Sequence, residues 1–304
     1  MSGYSLMIHG GAGVIRNPER FEPSLQRIVS AGADLLERGG TARDAVSLCV
    51  TLLEDDPLYN AGFGSVLNAD GVAECDAAIM DGRDLSAGAV AGVGRIKNPI
   101  LAARTVMENS AHVFLIGAGA EAFARRNNVE MVPESYFQTP ERLADLARAK
   151  ARNETALDHV ASQGAPSAKK LGTVGAVARD RAGNLAAATS TGGMTNKLPG
   201  RVGDSPVIGA GVFADNASCA VSCTGVGEHF LRTSLARTVG FLIEDLGLET
   251  QAATDEAIRR LVEKVSGVGA LIVVGRDGVC ARAQSTPGLL TASARDGVIN
   301  VKTA

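Results

Sequence analysis

The chain has 304 residues, 45% hydrophobic and 21% charged, with a formal net charge of -3. These proportions describe a soluble globular protein with a substantial core and exclude disorder of the whole chain. The charge lacks the basic excess that nucleic acid or an anionic membrane attracts, which leaves a small molecule or a peptide as the expected ligand. Five scattered cysteines form neither a disulfide framework nor a short-spaced metal cluster, a pattern of a reducing, cytoplasmic setting. Neither a secretory leader nor a membrane span is expected, because no basic opening precedes an apolar run and no run reaches about eighteen apolar residues.

In chain order, a strand at Ser5–Ile8 runs into a turn at His9–Gly13. Helices follow over about Phe21–Glu37 and Thr41–Glu54. Thr41 is the expected N-cap of the second, with Asp44 three residues on, and Val46, Cys49, Leu52 and Leu53 form its apolar stripe. Small and apolar residues alternate around Glu74–Met80 and Ser86–Val93, as strands do, and Pro99 opens another helix at its first turn. The next strand is His112–Ile116. From about Phe137 to Gly172 the texture turns polar and Ala-rich, ending in Ser, Gly, Pro and paired Lys, the composition of a flexible tail.

That tail stops at Gly172-Thr173, where a strand over Thr173–Arg179 begins and turns at Asp180–Asn184 into Leu185–Ser190. Helices over about Glu228–Leu246 and Thr250–Lys264 lead to a second hairpin, Ala270–Gly275 with Val279–Ala283, joined at Asp277-Gly278. Paired hairpins joined by helices, without strand-helix alternation, predict an α+β four-layer αββα sandwich of two antiparallel sheets between helical layers.

A linker meeting a Gly-Thr bond is ordinary by itself. Further along stand Thr189-Ser-Thr191-Gly-Gly, Arg201-Val-Gly-Asp204 and Ser222-Cys-Thr224-Gly-Val-Gly227-Glu. Taken singly, the threonines read as structural, and Arg201 with Asp204 as a solvated turn. Together with HGGAG at His9, PLYNAGFGSVLN from Pro57 to Asn68, GTVGAVA at Gly172 and the uninterrupted block from Ala188 to Pro206, they resemble the plant-type asparaginase and isoaspartyl peptidase family of N-terminal nucleophile hydrolases. The likeness covers nearly the whole chain.

The resemblance implies a precursor in which the Thr173 hydroxyl attacks the carbonyl of Gly172, giving an ester that water hydrolyses. An alpha subunit of residues 1–172, with its flexible tail at about 137–172, and a beta subunit of 173–304 would form together one folded domain. The freed Thr173 then carries nucleophile and base in one residue, since an α-amine titrates at roughly 7.7 to 8. The same likeness implies that Thr191 hydrogen-bonds the Thr173 hydroxyl, that Thr224 and the Gly225 N–H form an oxyanion hole, and that Arg201 takes a substrate α-carboxylate while Asp204, with Gly225 and Gly227, takes the α-ammonium. Asparagine and a β-linked aspartyl peptide would then present the same amide to Thr173, releasing aspartate through a covalent acyl-enzyme. It further implies a sodium ion held by the backbone carbonyls of Leu53, Glu54, Asp56, Tyr59, Ala61 and Phe63, no organic cofactor, and a dimer of cleaved heterodimers. From the residues alone, the acidic end of that helix reads equally as a solvated terminus.

Near its end the chain departs from the family pattern, with Leu289-Leu290-Thr291 where an aromatic-Arg element is usual. This predicts an altered substrate rim and leaves the leaving-group preference open. Rival readings are a glycosylasparaginase, whose relatives carry Thr-Asn-Gly in place of Thr191-Gly-Gly193, an uncleaved small-molecule binder that uses the clamp without turnover, and a nucleotide-binding protein using His9–Gly13, which lacks the Walker lysine and the spacing of a dinucleotide loop. His9 reads as structural, and Cys219 and Cys223 as buried thiols.

Overall fold

The computed structural model describes residues 3–155 and 172–303. Its first strand, β1 (Ser5–Gly13), runs straight through the segment expected as a turn, with an irregularity in register between His9 and Ala12. Helices α1 (Glu22–Glu37) and α2 (Ala42–Glu54) follow, and Thr41 caps α2 by accepting the Asp44 N–H at 3.1 Å. Strands β2 (Cys75–Asp81) and β3 (Ala87–Val93), helix α3 (Pro99–Asn109), strand β4 (Phe114–Ile116) and helix α4 (Gly117–Arg126) complete the first half.

The stretch expected to be a flexible tail from about residue 137 is ordered at its start. Phe137 is buried, and α5 (Pro140–Ala151) is capped by Thr139 and anchored by buried Arg142, whose Nε donates to the Gly64 carbonyl at 2.6 Å. Arg142, Leu146 and Ala149 give this helix its inner face, and the single large apolar residue among them makes a stripe too thin to stand out in the sequence. The Ser, Pro and Lys stretch from Ser162 to Lys170 lies outside the described residues.

The second half opens on β5 (Val174–Arg179) and β6 (Leu185–Thr191), then β7 (Val212–Ala214) and β8 (Cys219–Gly225). The single helix expected from Glu228 to Leu246 is two, α6 (Gly227–Thr233) and α7 (Leu235–Glu244), broken at Ser234, which takes a left-handed conformation. Helix α8 (Thr250–Val265), the predicted hairpin β9 (Gly269–Gly275) and β10 (Cys280–Gln284), and strands β11 (Gly288–Arg295) and β12 (Val298–Lys302) finish the chain.

Two sheets result, one of eight strands in the order β12-β11-β1-β5-β6-β2-β3-β4 and one of four in the order β10-β9-β8-β7. The larger is mixed, because β4 lies parallel to β3; every other pairing is antiparallel. Helices α1, α2 and α3 cover its outer face, α7 and α8 cover the smaller sheet, and β5 and β6 face β8 across the middle. The expected αββα sandwich is present, with one parallel edge pair added.

Its strands are rich in alanine, so apolar side chains from both sides can reach one another. One core lies between the large sheet and its helices, around Leu6, Ile8, Val46, Leu53 and Ile79. The other fills the space between the sheets and under α7 and α8, around Met80, Val177, Val221, Ile272 and Leu242. Leu290 belongs to the first core and Leu289 to the second, both fully buried. Thr291 is buried as well, accepting from Arg282 Nη1 at 3.2 Å and paired in register with His9. The departure at this position therefore lies in the packing of β11, second from one edge of the larger sheet, and the reading of a changed substrate rim is corrected. Alternation on β11 sends adjacent leucines to opposite faces, each covered by its own layer.

Candidate active site

The central strands end on the same side of the sandwich. Thr173 immediately precedes β5, Thr191 is the last residue of β6, and Thr224 and Gly225 close β8, so three segments distant in sequence bring Thr173, Thr191 and Gly225 to one place. Antiparallel pairing fixes that meeting: Val174 lies opposite Ser190, and Thr191 opposite Asp76 of β2. Gly172, Thr173, Thr191, Arg201, Asp204 and Gly225 line a single cleft, with Met194 and Ser205 beside them.

Thr173 is 6% exposed. Its Oγ1 lies 3.3 Å from the Ser205 hydroxyl, a partner that the sequence reading did not single out. Thr191, expected to bond Thr173, instead accepts the Gly193 N–H at 3.0 Å. The reason is local: the two glycines after β6 fold the backbone back over the Thr191 side chain. That turn is in turn held by Asn60, whose Nδ2 donates to the Gly193 carbonyl at 2.8 Å while its main-chain oxygen accepts the Gly192 N–H at 3.1 Å.

Thr224 is fully buried, and its hydroxyl has no hydrogen-bond partner among the described residues. A buried hydroxyl without a partner costs free energy, and a polar ligand atom that reached it would recover that cost. Beside it, Gly225 adopts φ 151°, and a side chain there would come within 2.5 Å of the Gly269 Cα and 2.6 Å of the Val268 carbonyl. Only glycine fits, and it leaves the backbone bare at the cleft.

The charged end of the cleft is built on the loop between β6 and β7 and on the start of α6. Arg201 does not pair with Asp204. Its Nε and Nη2 donate to the two carboxylate oxygens of Glu228 at 2.9 and 3.0 Å. That leaves Nη1 and the second edge of the guanidinium for another anion. Asp204 is buried, its Oδ2 has no partner among the described residues, and burial pushes its carboxyl up to about 7 against the opposing charge of Arg201. Gly227 packs directly against this pair, since a Cβ there would sit 2.9 Å from Asp204 Oδ1 and 3.0 Å from Arg201 Nη2.

Behind the clamp lie two buried charges that the sequence reading also passed over. Asp76 accepts the Gly92 N–H at 2.9 Å, and burial raises its carboxyl, with Lys197 the leading opposing influence. Lys197 itself is 1% exposed and donates to the Glu74 carbonyl at 2.7 Å. Ser205, Lys197 and Glu228 all stand inside the motif blocks quoted above, so their position was visible although their role was not. Asp76 carried no signal beyond being a charge within an apolar strand.

His9 is fully buried, and that burial pushes its imidazole down to about 3, with the Thr173 backbone as the weaker opposing influence. Its Nε2 lies 2.8 Å from the Ser222 hydroxyl, which in turn lies 2.8 Å from Thr189 Oγ1. This neutral chain ties β1, β8 and β6 together across the sandwich, through the residues that stand two before Thr224 on β8 and two before Thr191 on β6. His9 is thus a structural imidazole, and His9–Gly13 is a strand with no helix start behind it to receive a phosphate. Cys219 and Cys223 are free and buried, and desolvation raises both thiols, Cys219 to about 12.

Leu53 and Glu54 end α2, whose last turn holds no basic side chain. The negative end of the helix dipole there favours a cation, although the Leu53 carbonyl already accepts the Asp55 N–H, and the loop through Asp56, Tyr59, Ala61 and Phe63 curls back on itself, with Tyr59 N–H to the Asp56 carbonyl at 3.2 Å and Gly64 N–H to that of Ala61 at 3.1 Å. The Glu54 side chain leaves this loop. It accepts from Ile100 N–H at 3.0 Å and from the Ser190 hydroxyl at 2.6 Å, and burial pushes it up to about 8. A carbonyl-bound monovalent ion fits these residues. Among the described residues no group of three His, Cys, Asp or Glu could hold another kind of metal, and no helix is long and apolar enough to cross a membrane.

Known proteins resemble the chain along its whole length. The profile of a family described as asparaginase matches residues 2–302. An isoaspartyl peptidase of Salmonella typhimurium is 49% identical over 296 residues, covering 94% of each chain. The isoaspartyl peptidase of Escherichia coli is 48% identical, over 94% of this chain and 91% of its own. An isoaspartyl peptidase/L-asparaginase of Homo sapiens is 45% identical, over 97% and 94%.

Proposed function

The chain belongs to the asparaginase family, and on that premise we propose that it is an amide hydrolase that cuts itself before Thr173 and then hydrolyses isoaspartyl peptides and L-asparagine. One observation carries the reading. Thr173, the bare Gly225 backbone, and the Arg201 and Asp204 charges converge on one cleft from separate segments, and the buried, unpartnered Thr224 hydroxyl belongs to the residue just before Gly225.

In the precursor the Thr173 hydroxyl adds to the Gly172 carbonyl. As the C–N bond breaks, the hydroxyl proton passes to the departing nitrogen, so the amide becomes an ester and a free α-amine. Water then releases residues 1–172 with a terminal carboxylate. In the mature site that amine takes the proton of the adjacent hydroxyl, whose oxygen attacks the substrate side-chain carbonyl. Thr224 Oγ and the Gly225 N–H donate to the oxygen that becomes negative. Arg201 holds the α-carboxylate and Asp204 the α-ammonium, which fixes the β-carbonyl over Thr173. The amine or ammonia leaves with the returned proton, and water frees aspartate.

A denaturing gel of the purified protein tests the reading. Two fragments, residues 1–172 and 173–304, are expected, with a threonine at the start of the smaller and a single uncut band in Thr173→Ala. A wild-type chain that stays whole on long incubation and releases no aspartate would mark a binding protein instead. Assays with β-aspartyl dipeptides, asparagine and a glycosylated asparagine separate the hydrolase from a glycosylasparaginase.

We further propose that a sodium ion sits in the carbonyl loop and supports Asn60, which holds the Gly192-Gly193 turn; no chemical step runs through it. Thermal melts in sodium and in choline chloride should differ, and equal melts would remove the ion from the account. The cleaved chains are proposed to pair as a dimer of heterodimers in the cytoplasm, which sedentary mass in sedimentation equilibrium would check for the oligomer.

A further inference from the structure

The α-amine that serves as base in the mature site does not exist before the cut, because it is the nitrogen of the Gly172-Thr173 amide. Some other group must direct the Thr173 hydroxyl in the precursor. Thr191 Oγ1 accepts the Gly193 N–H, the Thr224 hydroxyl has no partner among the described residues, and among those residues the hydroxyl within hydrogen-bond distance of Thr173 Oγ1 is that of Ser205, at 3.3 Å. We infer that Ser205 orients the Thr173 hydroxyl for attack on Gly172, acting chiefly in self-cleavage and much less in turnover. The inference rests on the reading of Thr173 as a self-releasing nucleophile.

The local structure suits the task. Ser205 is 1% exposed, so its hydroxyl is largely withdrawn from bulk solvent. Pro206 follows it and restrains its backbone to extended conformations, and the Val207 N–H closes on the Asp204 carbonyl at 2.9 Å, which fixes the turn that carries the side chain. A threonine hydroxyl with its hydrogen held by Ser205 has a lone pair left to face the neighbouring carbonyl, and holding that geometry is what an intramolecular attack most needs. Ser205 changes no bond itself. The proton that leaves Thr173 Oγ1 still ends on the Thr173 nitrogen. After the cut the new amine lies nearer the hydroxyl than any other group and takes over both tasks.

The test compares two rates in the full chain, with melting temperatures as a control for folding. In Ser205→Ala, self-cleavage should slow by about tenfold or more, while kcat of the fully cleaved fraction on a β-aspartyl dipeptide changes by less than about threefold. Ser205→Cys, which keeps a small and weaker hydrogen-bonding group, should cleave at an intermediate rate. Cleavage of Ser205→Ala at the wild-type rate would overturn the inference and leave the proposed function standing. Equal losses in cleavage and kcat would overturn it too, by placing Ser205 in both steps. If the wild-type chain itself never cuts, the functional reading fails first.

Discussion

At one end of the cleft stand Thr173 and Thr191, with Thr224 buried next to Gly225, uncharged hydroxyls set at the ends of strands; at the other, Arg201 and Asp204, with Glu228 behind Arg201, are charges carried by a loop and the start of a short helix. The strand ends are positioned by ladders that run the length of both sheets, and their hydroxyls do not titrate in the physiological range. The charged end depends on burial. Asp204 is desolvated and held near neutrality, and Arg201 keeps its orientation through a two-point contact with Glu228. In the proposed reaction, position would therefore govern the chemistry at one end and electrostatics the recognition at the other. Changes at the hydroxyl end should act on kcat, and changes at the charged end on KM.

The largest expected effect at the hydroxyl end, short of removing the nucleophile, is that of Thr224→Ala. Loss of one preorganised donor should lower kcat by about 10²- to 10³-fold with KM within a few-fold of wild type. Steady-state kinetics on the cleaved enzyme would read this, and a loss confined to KM would break the division. Arg201→Lys comes next. A point charge cannot reproduce the fork shared between Glu228 and a substrate carboxylate, so KM should rise by about tenfold or more while kcat changes less.

The smallest effect is a pH dependence that belongs to the charged end alone. With its carboxyl raised to about 7 in the empty site, Asp204 is protonated below that pH and cannot pair as an anion with an ammonium group. KM should therefore climb as pH falls through about 7. Substrate binding should also release a proton near that pH, because an adjacent cation favours the ionised carboxylate. Calorimetry in buffers of different ionisation enthalpy would detect the proton. A KM flat from pH 6 to 8 would show instead that Asp204 stays ionised in the empty site.

Much of the fold and the cleft was legible before the structure. Thr41 announced its helix, Pro99 its own, and Asp277-Gly278 its hairpin, because caps and turns are local devices whose physics is complete within a few residues. The motif blocks likewise put Thr173, Thr191, Arg201, Asp204 and Gly225 on one short roster, and they meet in one cleft. What was not legible depended on neighbours remote in the chain. The break at Ser234, the order within α5 and the strand made from His9–Gly13 each follow from packing against other elements.

The same division holds for the site. The sequence by itself determined which residue types are available for the chemistry: a threonine behind a glycine, two further threonines, and a cation with an acid in a loop. Tertiary structure alone decided their partners. It gave Thr173 to Ser205, Thr191 to Gly193 and Arg201 to Glu228, and it carried Leu289 and Leu290 away from the cleft into two cores. The reason is physical. A hydroxyl or a guanidinium has several geometrically equivalent partners within reach of its motif, and the choice among them falls to sheet register, turn closure and burial, which are properties of the packed molecule.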